Sequence, residues 1–221
     1  MKHAVLRCAV AASLLSGMPL AHAAGDYWYV GLGVGYSRVQ FYPVDFSFAG
    51  APTCSPRGAC AESKKEFDAG FKGFLGYQIN RNWAVEASYA TVGKFHYQHD
   101  DGTVTRDSEY RVSGMGFSFV PTVPLTRNFS LYGRLGAFFS QTRLTFFNDG
   151  FNAGVNSPGR QVSQVSALTG FGAQYFFDEE SGIRVEYENF GTVGSCPTSP
   201  CPGDTGRANA KMASINMIFP F

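Results

Sequence analysis

Glu86, Arg134, Glu186 and Glu188 are the residues of this chain whose types and spacing could carry chemistry together. When the three tight hairpins are aligned on their turns, Glu86 and Glu186 fall at one depth. Ser88, Arg134 and Glu188 fall at the next, and all of them face inwards. A charge enclosed in a narrow interior is costly unless it is paired, so Arg134 is expected to bridge Glu188, Glu186 or Glu86. Gly170 and Gly172, on the strand between, leave room for that reach. Lys72 and Arg184 also face inwards, at depths that strand tilt leaves open. Two uses of such a network stay open at this point. It can satisfy a polar interior and fix register, or it can act as a switchable gate that passes small ions.

Four cysteines, Cys54, Cys60, Cys196 and Cys201, lie in long loops rich in Pro, Ser and Gly. An export route is oxidising, and four cysteines allow three pairings. Short spacing favours Cys54 with Cys60 and Cys196 with Cys201, and a link between the two loops is the alternative. Zinc is the weaker reading, because no histidine accompanies either pair. His96 and His99, with Asp100 and Asp101, have the types of a metal cluster but read as a solvated loop. Those are also the only histidines beyond residue 23, and no strand carries a matching Ser-His arrangement, so the reading is non-enzymatic. No cofactor site is expected: the Gly31, Gly33 and Gly35 series lacks the helix that a phosphate site needs.

These side chains need elements that hold them, and the front of the chain indicates where they are held. Residues 1–23 read as a signal peptide, with Lys2 and Arg7 before an apolar run and Ala21-His22-Ala23 at the cleavage point. Residues 24–221 then form one domain. Loss of Lys2 and Arg7 takes the 18 basic residues to 16 against 17 acids, a balance with no nucleic-acid signature. No run of about 20 apolar residues follows, so a membrane could be crossed only by a closed barrel.

The alternation along the chain supplies that barrel. Trp28, Val30, Leu32, Val34 and Tyr36 share one face of a first strand that runs to Phe41, and Gly31, Gly33, Gly35 and Ser37 share the other. A loop from Tyr42 to Lys65 precedes a strand from about Glu66 to Ile79, with Phe67, Phe71, Leu75 and Tyr77 outward. After the Asn80-Arg81-Asn82 turn come Trp83, Val85 and Tyr89. Later strands run from about Ser108 to Val123, Phe129 to Arg143, Val162 to Phe177 and Ile183 onward. The closing strand puts Ala213, Ile215, Met217, Phe219 and Phe221 on one face. Eight alternating segments, short turns at one end and long loops at the other define the fold class. It is all-β, an eight-stranded antiparallel up-and-down transmembrane barrel. Trp28, Tyr77, Trp83 and Phe129 are expected at the periplasmic interface, and Tyr36, Phe67, Tyr97, Tyr110 and Phe139 at the outer one. The inward set is expected to be Gly, Ser, Gln and charges, the reverse of a soluble ligand-binding barrel.

The run from Gly73 to Tyr89 with its Asn-Arg-Asn turn, the Phe129 to Gly136 strand after Pro124-Leu125, and Arg184-Val185-Glu186-Tyr187-Glu188 resemble the hairpins of the OmpA-like β-barrel family. The closing strand resembles the last strand of such barrels. The resemblance implies that Phe221, Phe219, Met217 and Ile215 are the signal read by the barrel-assembly machinery. It also implies that the Arg-Glu network plugs or gates the lumen. The chain stops at the last strand, so the peptidoglycan-binding domain of full-length relatives is expected to be absent.

The expected setting is the outer membrane of a Gram-negative bacterium, as a monomer among lipid and lipopolysaccharide, with an extracellular ligand reached through the loops. The expected role is envelope integrity or surface adhesion. An ion pore governed by Arg134 is the alternative, and a lipid A-modifying enzyme the third reading.

Overall fold

The computed structural model describes residues 26–42, 61–100, 105–148, 160–197 and 205–221. They form β1 (Tyr27–Phe41), β2 (Ala61–Lys65), β3 (Phe67–Asn80), β4 (Trp83–Asp100), β5 (Thr105–Pro124), β6 (Phe129–Asn148), β7 (Arg160–Phe176), β8 (Gly182–Val193) and β9 (Ala208–Pro220). All pairings are antiparallel. The sheet closes because β1 pairs with β9 and β4 also pairs with β5. Both β2 and β3 pair with β4, β2 with His96 to Asp100 and β3 with Trp83 to Thr91. The break between them is one residue, Glu66, whose carbonyl accepts from Val39 N at 2.9 Å. They are one stave, and the molecule is a closed eight-stranded antiparallel barrel. Closure leaves no backbone edge through the span, which hydrocarbon demands.

The lipid-facing set follows the alternation. Leu32, Val34, Met115, Phe117, Leu135, Val165, Phe171, Ile215 and Met217 are all exposed, Val34 by 67 %. Side chains of this size in continuous outward rows make an apolar surface far larger than a soluble monomer tolerates. Trp28 packs on Tyr77 with ring centroids 5.0 Å apart, and Trp83 stacks on Phe119 at 4.9 Å. Tyr36 stacks on Phe67 at 5.3 Å towards the other end.

Three features depart from the expectations drawn from the sequence. First, Tyr110 is wholly buried inside rather than in the outer girdle, and its hydroxyl donates to the carbonyls of Val193 (3.2 Å) and Gly206 (3.4 Å). Second, β4 runs on through His96 and His99 to Asp100, and β2 takes up part of the first expected loop. The register of β4 shifts between Thr91 and Gly93, where Gly93 has φ 122°. This bulge adds a residue and reverses the parity beyond it, so the odd-numbered Phe95 turns inwards with Val92. Third, the interior is not uniformly polar. Val39, Phe41, Val92, Phe95, Val112, Phe138, Leu144 and Phe190 form an apolar layer towards the outer end. Tyr29, Phe74, Ala84, Val120, Tyr132 and Ile218 form a second layer towards the short turns. Glycines make space for the rings: a Cβ at Gly76 or Gly31 would lie inside the ring of Tyr29 or Phe74.

Candidate functional site

Between the two apolar layers lies the charged one. Lys72 on β3, Glu86 on β4, Arg134 on β6 and Arg184, Glu186 and Glu188 on β8 are all at most 3 % exposed. Each sits on the inward parity of its strand, and register sets the reach. Arg134, Gly170 and Glu188 form one cross-strand row, and Tyr132, Gly172 and Glu186 the next. The glycines of β7 carry nothing between the side chains of β6 and β8, so those can meet across it.

Arg134 pairs with Glu86, with Glu186 at 3.3 Å, and through Nε with Glu188 at 3.4 Å. Lys72 Nζ donates to Glu186 Oε1 at 2.6 Å and to Glu188 Oε2 at 2.7 Å. Arg184 Nη1 donates to Glu86 Oε1 at 2.5 Å, and its Nη2 donates to Gln174 Oε1 at 2.8 Å. Neutral donors add to the shells of Glu86 and Glu186. Tyr29 Oη donates to Glu86 at 2.7 Å, Tyr132 Oη to Glu186 at 2.9 Å, and Asn216 Nδ2 to Glu186 at 2.9 Å. Three cations face three carboxylates, so the layer is neutral as a whole. That balance, with several hydrogen bonds on Glu86 and on Glu186 and one from Lys72 on Glu188, is the condition under which buried charge is tolerated.

Arg184 joins this layer to the apolar one below it. Its guanidinium lies 4.6 Å from the Tyr132 ring centroid, 4.8 Å from Phe74 and 5.4 Å from Tyr29. A weakly hydrated planar cation can sit among three aromatic faces while its edge meets carboxylates; the Lys72 ammonium, between Glu186 and Glu188, reaches the Phe74 ring alone, 5.3 Å from its centroid. Tyr29, Tyr132 and Asn216 are residues that sequence reasoning passed over. Parity alone would have placed Tyr29 and Tyr132 inside, one step from the outward Trp28 and Leu131. Ser88 stays outside the network and donates to Gly116 O at 3.5 Å.

Other sequence candidates are dispersed. Cys196 is disulfide-bonded, while Cys54, Cys60 and Cys201 lie outside the described residues, as does Asp101. His96 is on β4 opposite Glu109, in a strand rather than a loop. Ile215, Met217 and Phe219 point outward on β9. Phe221 holds the last pair of backbone bonds to Trp28, at 2.8 and 3.2 Å.

A model of the OmpA-like transmembrane domain matches residues 23–221. The chain belongs to this family. Outer membrane protein A of Yersinia pseudotuberculosis is 24% identical over 200 residues, covering 90% of this chain and 51% of that protein. Outer membrane protein P5 of Haemophilus influenzae is 26% identical over 147 residues, covering 65% and 41%. The chain thus spans about half the length of the OmpA relatives it matches. Among solved structures, the outer membrane protein AlkL in lipid bilayers superposes with a TM-score of 0.56 at 13% identity, covering 93% of this chain and 96% of that one. This likeness shows the shared barrel fold. The OmpA-like domain is an outer-membrane barrel of Gram-negative bacteria, and this chain sits in that membrane's lipid and lipopolysaccharide environment.

Proposed function

We propose that this OmpA-like barrel is a non-enzymatic, non-conducting protein of the outer membrane, serving envelope integrity and surface interaction through its outer end. The observation that carries this reading is the three-layer lumen: apolar, charge-balanced, apolar. An ion would have to cross both greasy layers and then displace paired partners. Its desolvation is costly at every step. Surface interaction is supported by the uneven rim. Strands β4 to β7 have 18, 20, 20 and 17 residues, against 15, 12 and 13 for β1, β8 and β9, so one wall stands higher than the other.

In this reading residues 1–23 are a signal peptide, the mature domain begins at 24, and the barrel is monomeric. Cys196 pairs locally with Cys201 and Cys54 with Cys60, and the outward residues of β9 with Phe221 address the barrel-assembly machinery. The deciding experiment is single-channel recording of the purified chain in planar bilayers. No stable openings are expected. Openings that change with Arg134→Ala would instead establish the gated pore. Lipid A mass spectra that are the same with and without the protein are expected; a new acylation pattern would establish the enzyme.

A further inference from the structure

On the lipid-facing side of β1 and β9, the rows change chemistry in steps of two residues, each roughly 7 Å along the strand. Val34 lies opposite Ile215, then Tyr36 opposite Ala213, Arg38 opposite Lys211, and Gln40 opposite Asn209. Aliphatic, aromatic, cationic and amide rows thus follow one another towards the outer end. This is the order of acyl chain, interface, phosphate and sugar in a membrane glycolipid.

The rows also have a shape. Ala213 lies between Tyr36 on β1 and Tyr187 on β8, because both are its direct cross-strand partners. The short side chain between two rings leaves a slot, and a cavity of ≈ 210 Å³ opens there on the outward surface with Arg38 and Lys211 in its wall.

Two cations directly opposite each other across a ladder repel. Arg38 is partly answered by Glu66 at 3.2 Å and lies 5.2 Å from the Phe67 ring centroid. No carboxylate pairs with Lys211 among the described residues. The neighbouring Asn209 has its Oδ1 buried without a hydrogen-bond partner, an acceptor suited to a hydroxyl. Excess positive charge, an acceptor for a hydroxyl and an apolar slot on the lipid-facing parity specify an amphiphile with a phosphorylated sugar head.

We propose that this slot is a binding site for a phosphorylated outer-leaflet glycolipid of the lipid A class. A phosphate rests on Arg38 and Lys211, a sugar hydroxyl on Asn209, and one acyl chain lies over Ala213 between Tyr36 and Tyr187. The site uses the wall of the barrel and is independent of whether the lumen conducts.

The test is a titration of the purified full chain with bis-phosphorylated lipid A in detergent, read by native mass spectrometry. Folding is checked by the heat-modifiable shift on gels. Neutralising two cations in the Arg38→Gln/Lys211→Gln variant should weaken binding on the order of tenfold or more. Ala213→Phe, which fills the slot from the lipid side, should also weaken it, and dephosphorylated lipid A should bind the native chain more weakly than the phosphorylated form. Lys94→Gln/Arg111→Gln removes an equal charge from another outward cross-strand pair and should bind as the native chain does. Inorganic phosphate should not displace the lipid. The site is overturned if either slot variant binds as the native chain does or if the control loses as much affinity. It is also overturned if dephosphorylated lipid A binds equally, or if free phosphate displaces the lipid, which would mark a simple anion site. Lys211→Gln alone removes no described ion pair and serves if the double variant does not fold.

Discussion

Glu86 shows how much of the interior hangs on single residues. Its two oxygens take Arg134, Arg184 and the Tyr29 hydroxyl, which lie on β6, β8 and β1. Removing one member of a buried pair leaves the others charged and dry. Arg134→Met is therefore expected to destabilise the barrel by about 3–5 kcal/mol, measured by urea unfolding in lipid vesicles. It takes a cation from Glu86, Glu186 and Glu188 at once and leaves Lys72 and Arg184 to balance three carboxylates. A doubly substituted Arg134→Met/Glu86→Gln barrel should recover part of that loss, because the layer returns to neutrality. The inward parity of Glu86, Arg134, Glu186 and Glu188 is legible from alternation, and so is that of Lys72. Which cation meets which carboxylate is not legible, because Lys72 is 114 residues from Glu186 and only the closed ring brings them to 2.6 Å. Arg184 is harder still. Its place depends on Phe74, Tyr29 and Tyr132, three rings from three other strands.

At the scale of elements, alternation locates the staves and turns but miscounts where a backbone irregularity intervenes. The bulge at Gly93 reverses parity on β4, so Phe95 enters the lumen although Trp83, Val85 and Tyr89 on the same strand face lipid. Tyr110 is likewise an aromatic near the outer end that points in, where it ties the ends of β8 and β9 to β5. An aromatic at an interface and an aromatic plugging a lumen have the same composition. Parity along the strand separates them: Tyr110 shares the inward side of β5 with Val112, Gly114, Gly116 and Ser118. Inward glycines on β1, β3 and β7 make the opposite kind of element feature, a groove that another strand's ring must fill. Gly76→Val should drive the Tyr29 ring from its place and cost about 1–3 kcal/mol in the same unfolding measurement, with loss of the Glu86 hydrogen bond.

The whole molecule is a cylinder held by its seam as much as by its layers. β1 and β9 are the ends of the described chain, and their ladder runs from Tyr29 and Pro220 to Phe41 and Ala208. Phe221 extends it by two backbone bonds to Trp28. Deleting Phe221 is expected to lower the amount of barrel in the outer membrane several-fold while changing the unfolding midpoint of refolded protein little, since the rest of the ladder remains. Membrane fractionation and urea titration measure the two effects separately. Normal membrane levels would count against an assembly role for this residue.

The sequence by itself determined the lipid-facing rows, the eight staves, the three tight turns and the inward side of the charged residues. Each of these follows from a two-residue period that any pleated strand obeys. The tertiary structure decided what fills the lumen. Ring closure sets which side chains from distant staves share a depth, and a single bulge or an omitted glycine shifts that assignment. The sandwich of a neutral charge layer between two apolar ones, and the slot formed where Ala213 falls between Tyr36 and Tyr187, are products of register across strands. Register is a property of pairs of strands and is not written in either strand alone.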